Sequence, residues 1–338
     1  MTILVTGAAG FIGFHVARRL LAAGEQVLGI DNLNDYYPVQ LKRDRIAELE
    51  REHGGAFRFV RCDFADRDAL AEALAGAEIG AIVHLGAQAG VRYSLENPYA
   101  YVQANLVGHL NILEVARARR VRHLVYASSS SVYGGNKTLP FRVEDRVDHP
   151  LSLYAATKKA DELMSETYAH LYRLPQTGLR FFTVYGPWGR PDMAMWIFTK
   201  AILAGTPVPL YNNGDMRRDF TFIDDIVTGV VSCLANPPAD DGAAKAGGSL
   251  APHRLYNIGN HRSEELTRMV GLIERACGRE ALIAMAPMQP GDVPDTFADI
   301  SAIQRDLGFQ PTVSIDEGVP RFVDWYRGYH AGEPGGRT

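Results

Sequence analysis

Apolar and polar positions alternate along the first half of the chain in two rhythms. Short runs rich in β-branched residues read as strands: ILVTG (3–7), QVLGID (26–31), FRFVRCD (57–63), AIVHLGA (81–87) and HLVYASS (123–129). LRFFTVYG (179–186) makes a sixth. Between them, FIGFHVARRLLAAG, ADRDALAEALAG and YAYVQANLVGHLNILEVARARR carry apolar residues at helical spacing, and the first two stop near a glycine. Strands alternating with helices predict βαβ units, and so an α/β fold built on a doubly wound, Rossmann-type parallel sheet.

After residue 186 the rhythm changes. Pro and Gly become denser, elements shorten, and helical patterns such as MAMWIFTKAILAG (193–205) are separated by irregular segments. The expected organisation is a nucleotide-binding domain over residues 1–180 and a smaller mixed α/β lobe over 181–330, with a segment near 215–235 returning to the first domain. Residues 237–253, PPADDGAAKAGGSLAPH, read as a flexible surface insertion because they hold little to bury. Residues 331–338 read as a disordered tail.

Composition narrows the function classes. A net charge of −4 gives no electrostatic reason to expect nucleic acid or a membrane surface. No apolar run approaches the roughly 20 residues of a membrane span, and the N-terminus goes straight into strand-like residues without a signal-peptide pattern. Cys62, Cys233 and Cys277 lie far apart, which suits a reducing, cytoplasmic setting better than a disulfide framework. The histidines show no HxxxH or HxH spacing, so no metal is expected, and the GxSxG of serine hydrolases is absent.

The chemistry begins at Thr6-Gly7-Ala8-Ala9-Gly10-Phe11-Ile12-Gly13, between the first strand and the first helix. Glycines there allow a tight turn and let backbone N–H groups approach a pyrophosphate at a helix N-terminus. The spacing is GxxGxxG, weak evidence alone, but its context points the same way. Asp31 closes the second strand, where a carboxylate accepts from the adenosine ribose, and no arginine stands immediately beside it, which favours NAD over NADP. Asp63 and Phe64 close the third strand and small residues, Gly86, Ala87 and Ala89, close the fourth, all at the carboxyl ends where ligands bind in such sheets.

Tyr154 and Lys158, in YAATK, share a helix face at i, i+4. A nearby ammonium stabilises phenolate and lowers a tyrosine's usual value of ~10, making Tyr154 a usable general base. A Tyr–Lys pair at this spacing is common on any helix surface, so it carries weight only with the other motifs. The segment SSSSVYG (128–134) ends the fifth strand and raises its own question: why four consecutive hydroxyls should close a buried strand.

TGAAGFIG, the acid at the second strand's end, SSSSVYG and YAATK together resemble the extended short-chain dehydrogenase/reductase family. RRDFTFIDDI (217–226) and QPGDVPDTFAD (289–299) extend the likeness to nearly the whole chain. Within the family the chain is most similar to NAD-dependent nucleotide-sugar 4-epimerases, and HLGAQAGVRYSLENP, YGPWGRPDMA, FTKAILAG and MQPGDVPDT resemble the UDP-glucuronate 4-epimerases. Gly86 stands where relatives more often carry Ala, a departure expected to be silent.

That resemblance implies roles. Tyr154 takes the proton of the sugar O4, Lys158 holds the nicotinamide ribose and tunes Tyr154, and Ser129 hydrogen-bonds the reacting oxygen. Tightly held NAD, regenerated each turnover, meets Gly7, Gly10, Phe11, Ile12, Gly13, Asp31, Asn32, Asp63, Phe64, Leu85, Gly86, Ala87, Ala89, Asn105 and Ser128. The UDP-sugar meets Gln88, Arg92, Ser130, Ser131, Thr183, Arg190, Lys200, Tyr211, Arg218, Gln289 and Asp292. A glucuronate needs charge and donors at C6, which Arg190 supplies as a bidentate fork, with Thr183, Ser130 and Ser131 adding hydroxyls. Related decarboxylases and 4,6-dehydratases carry acids where Ser130 and Ser131 stand, so neither elimination nor decarboxylation is expected. The competing readings are a UDP-glucose/UDP-galactose 4-epimerase, a UDP-glucuronate decarboxylase, and a catalytically idle NAD-binding sensor or scaffold. A homodimer joined through the helices near 98–118 and 153–172 follows from the resemblance alone.

Overall fold

The computed structural model describes residues 1–331; the remainder of the expected tail, 332–338, lies outside the described residues. Seven parallel strands form the main sheet: β1 (Thr2–Thr6), β2 (Gln26–Asp31), β3 (Phe57–Arg61), β4 (Ile79–His84), β5 (Leu124–Ser129), β6 (Gln176–Phe181) and β7 (His253–Ile258). Their spatial order is β7-β6-β5-β4-β1-β2-β3. The chain therefore winds one way from β1 to β3 and the other way from β4 to β7. The direction reverses between β1 and β4, where a crevice opens at the strands' carboxyl ends.

The strands lack polar alternation because both faces are covered. Ile3 and Val5 join one buried cluster with Phe14, Val16 and Ala17 of helix α1 (Phe11–Ala22), whereas Leu4 joins another with Leu70, Ile112 and Leu113. Leu70 belongs to α3 (Arg67–Ala73), and Ile112 and Leu113 to α4 (Gly108–Ala118), which follows α2 (Val39–His53) and α3 in chain order. Burying each such side chain contributes roughly 1.5–3 kcal/mol, which fixes the sheet whose edge carries the site. Helix α5 (Leu153–Tyr172) starts at a cap in which Ser152 Oγ accepts from the Ala155 N–H at 3.1 Å.

Several expectations change. LRFFTVYG is two strands: β6 stops at Phe181, and Thr183–Tyr185 pairs with Phe220–Phe222 in a separate small sheet. Helix α2 was not foreseen, since its sequence is mostly charged. Strand β7 also escaped notice, and the supposed insertion ends early, because Ala251 and His253 are buried as the chain enters the sheet. The long helix expected near 98–118 is present from Pro98 to Ala118, its backbone helical throughout, with a wide turn of π-helix at Val102–Val107 between Pro98–Tyr101 and α4. The helix at Ile223–Ala235 packs against α1, while Ala194–Ala204, Leu266–Cys277 and Ile315–His330 pack together beyond the sheet.

Candidate active site

A cleft of about 770 Å³ lies along the carboxyl edge of the sheet. At one end, Gly7 turns the chain out of β1 with φ +67°, and a Cβ there would stand 2.8 Å from the backbone of Gly86. A Cβ on Gly13 would overlap the carbonyl of Gly7. Backbone thus meets backbone, which only glycine permits. Gly10 caps α1 with no side-chain bond, no acid lies in the helix's first turn, and Gly10, Phe11, Ile12 and Gly13 line the cleft. Gly10 N–H is taken by Gly7 O at 2.8 Å, but the first-turn N–H groups of α1 have no intrahelical acceptor and fit a dinucleotide pyrophosphate.

Asp31 borders the same end, its Oδ1 accepting from the Leu33 N–H at 2.8 Å. Burial raises its carboxyl above the ordinary range, against the pull of Lys42. Lys42 Nζ lies 3.9 Å away on α2, so a base does neighbour Asp31, although Lys42 also donates to Asn34 Oδ1 at 2.7 Å. Asn32 Nδ2 donates to Asp63 Oδ2 at 3.1 Å, tying two lining residues together. The Phe64 ring sits where a Cβ on Gly86 would come within 2.5 Å, and it blocks a Cβ on Gly108 as well. The missing methyl of Gly86 leaves room for the Phe64 ring. Leu85, Ala87, Gln88 and Ala89 continue the lining after β4.

Two cofactor assignments change. Asn105 does not line the cleft: its Oδ1 accepts from the Gln88 N–H at 2.9 Å, and its Nδ2 donates to Gln88 O and to Thr157 Oγ1. It ties the β4 loop to α5. Ser128 lines the cleft, but its hydroxyl is turned away, donating to Glu162 Oε1 at 2.7 Å. Glu162 is buried in a two-point ion pair with Arg180, with Nε and Nη2 donating at 2.8 and 2.9 Å. Burial raises Glu162, but Arg180, Lys159 and Ser128 outweigh it and hold the carboxyl below its ordinary range.

The next serines face the cleft. Ser129 Oγ accepts from the Ser131 N–H at 3.1 Å, capping a short 3-10 turn that displays Ser130 and Ser131. Tyr154 lies in the first turn of α5, its ring edge-on to Tyr101 with centroids 6.0 Å apart. Lys158 is buried one turn on and donates to Ala127 O and to Asp161 Oδ2, both at 3.1 Å. The topology thus brings Ser129, Tyr154 and Lys158 to one stretch of cleft wall.

Thr183 and Arg190 line the neighbouring wall. Arg190 is not free: its Nε and Nη2 donate to the two oxygens of Asp192 at 3.0 and 2.5 Å. Tyr36 donates to the same carboxylate and lies under the guanidinium, 5.9 Å from its centre. Two of the five guanidinium N–H groups are engaged by this pairing, leaving Nη1 outside it. At the far end Arg92 stacks over Tyr211 at 4.5 Å and pairs with Asp292 at 2.9 Å, with Arg218 close by. Burial lowers Arg218, with Asp292 and Asp295 opposing. Two guanidiniums beside an aromatic face suit a diphosphate and a base. Lys200 is exposed, and neither it nor Gln289 is among the residues lining the cleft. Sequence reading missed Tyr36, Lys42 and Asp192, which all line it.

Among the described residues, no group of three or more His, Cys, Asp or Glu side chains could hold a metal ion, and no helix is long and apolar enough to cross a membrane.

A doubly wound sheet with a glycine turn at β1 and a Ser–Tyr–Lys wall defines an extended short-chain dehydrogenase/reductase. Residues 4–322 match the family described as GDP-mannose 4,6 dehydratase, and the chain belongs to it. It is 52% identical over 332 residues to the probable UDP-glucuronate 4-epimerase of Rhizobium meliloti (strain 1021), covering 96% of this chain and 97% of that one. A crystal structure of UDP-glucuronic acid 4-epimerase from Bacillus cereus, in complex with UDP-glucuronic acid and NAD, superimposes with a TM-score of 0.86 at 33% identity, covering 97% of this chain and all of that one (100%). A UDP-glucose 4-epimerase from Thermotoga maritima superimposes with a TM-score of 0.85 at 28% identity, covering 97% and 99%.

Proposed function

We propose that this protein inverts C4 of UDP-glucuronate, interconverting it with UDP-galacturonate. NAD, when bound, supplies a reversible hydride acceptor for C4. The residues present fit it: the Gly7–Gly13 turn for the pyrophosphate, Asp31 for the adenosine ribose, Asp63 and the Leu85–Ala89 loop along its length, and Lys158 near Tyr154. Tyr154 takes the proton from O4 and returns it to O4 on the opposite face. Ser129, anchored by the Ser131 N–H, donates to that oxygen. Arg92 and Arg218 hold the diphosphate, with Tyr211 against the base.

A glucuronate oxidised at C4 is a β-keto acid that loses CO₂ unless its carboxylate stays out of overlap with the ketone. Ser130 and Ser131, with Thr183 and Arg190 from the neighbouring wall, line the same cleft and supply the donors that would fix that carboxylate. The observation that carries the proposal is that this part of the cleft holds hydroxyls and a guanidinium where an eliminating enzyme needs an acid. The family's dehydratase name therefore does not extend to this site. Asp192, which also lines the cleft, is bound to Arg190. That pairing partly neutralises Arg190 and favours, as a second reading, a neutral UDP-glucose substrate. Incubation with each nucleotide sugar separates the two: C4 inversion of UDP-glucuronate without CO₂ supports the proposal, and inversion of UDP-glucose alone overturns it.

Exposed Leu95, Tyr99, Leu110, Leu163 and Leu171 lie on the helical segments from Tyr93 to α4 and on α5. We infer that this apolar surface joins two copies of the chain. The cysteines are free and buried, which supports a reducing, cytoplasmic setting.

A further inference from the structure

Beneath the reacting pair lies a buried acid that the mechanism above does not use. Asp161 is 1% exposed, and its Oδ2 accepts from Lys158 Nζ at 3.1 Å. Its Oδ1 is equally buried and has no hydrogen-bond partner among the described residues. A structural ion pair of this depth normally satisfies both oxygens. This one leaves an acceptor open and pairs with Lys158, one helical turn from Tyr154.

The surroundings isolate that pair electrically. On α5 itself, Glu162 is closed by Arg180 from β6 and by Lys159. From β5, Tyr126 faces Asp161 and burial raises its phenol well above the ordinary value. From α4, His109 hydrogen-bonds the Asp161 backbone and burial holds it well below its ordinary value. From β4, His84 lies near Lys158 and burial takes it down to about 3. These three rings are neutral near pH 7, so the charge state around Lys158 is decided by Asp161.

We propose that Asp161 is a positioning residue for the reacting pair: its carboxylate orients the Lys158 ammonium and sets how much of that charge reaches Tyr154. Burial pushes the Asp161 carboxyl up to about 7, with Lys158 opposing, so the anion forms within the working pH range. Below that range the neutral acid leaves Lys158 unscreened. Above it, the anion offsets the cation. The inference rests on Tyr154 and Lys158 being the reacting pair.

The test uses the full-length chain carrying Asp161→Asn, which keeps the shape and removes the charge. Loss of the anion favours phenolate at Tyr154 and also favours proton loss from Lys158. Asp161 is already neutral on the acid side, so the base limb of the pH–rate profile should slide toward acid by about one unit and the acid limb by less, with the maximal rate within severalfold. Ultraviolet titration of tyrosinate, taken as the difference from a chain also carrying Tyr154→Phe, reads the same shift without substrate. Asp161→Ser, equally uncharged but smaller, should move both readouts in the same direction. Superimposable profiles, a rate loss equal at every pH, or opposite shifts in the two variants would overturn the inference. Tyr154→Phe alone separates the two claims, because retained turnover would sink the reacting-pair reading itself.

Discussion

Ser128 and Glu162 are joined by a 2.7 Å hydrogen bond that turns the first of four consecutive serines away from the cleft. The next serine, Ser129, lines it. The two adjacent hydroxyls therefore differ in partner, one bonded to a buried ion pair and one capping the turn at the cleft. Ser128→Ala should lower stability by about 1–3 kcal/mol, because Glu162 loses a buried donor, while leaving kcat within a few-fold. Ser129→Ala loses only a turn cap, about 0.5–2 kcal/mol, but should lower kcat by about a hundredfold or more. Thermal unfolding and steady-state kinetics on both variants check the division.

The Glu162–Arg180 pair mounts that segment on α5 and β6. Glu162→Gln leaves Arg180 buried without its counter-ion and should cost about 3–5 kcal/mol. The pH dependence follows from the lowered carboxyl. In the fold Glu162 binds its proton less readily than in the unfolded chain, so its stabilisation is complete above the ordinary carboxylate range of ~4 and is lost as pH falls through the lower folded value. Urea midpoints measured as pH falls should drop steeply for the native chain and less steeply for Glu162→Gln.

Phe64 and Gly86 form a matched pair at the cofactor end of the cleft. Gly86→Ala should destabilise by about 1–3 kcal/mol by overpacking against the ring. Adding Phe64→Leu to it should recover most of that loss, which makes the two substitutions non-additive. A double-mutant cycle in thermal stability measures the coupling, and simple additivity would contradict the pairing.

On the proposed reading, the Arg190–Asp192 pair sets the choice between acid and neutral sugars. Arg190→Ala should reduce kcat/KM for UDP-glucuronate by roughly tenfold to a hundredfold more than for UDP-glucose, the range expected for hydrogen bonds to a charged group. Asp192→Asn frees the guanidinium fork and should lower KM for UDP-glucuronate while leaving any UDP-glucose reaction little changed. Equal changes for the two sugars would remove Arg190 from the carboxylate.

Much of this site could be read from local pattern. The glycine turn, the strand-ending acids and the YAATK pair are set by residues close in sequence, and backbone geometry places them together once the sheet forms. What stayed hidden depends on long-range partner choice. Lys42 reaches Asp31 from a helix too charged to show an apolar stripe. Asn105 and Ser128 look like cofactor contacts until Thr157 and Glu162 meet them across the sheet edge. Strand β7 follows a polar loop and declares itself only by pairing with β6.

The most direct test of the central claim is to incubate the purified protein with UDP-glucuronate and follow C4 configuration by NMR together with CO₂ release. The account predicts a mixture of the two C4 epimers with the carboxylate retained, abolished by Tyr154→Phe. A pentose product with CO₂, or turnover confined to UDP-glucose, would contradict it.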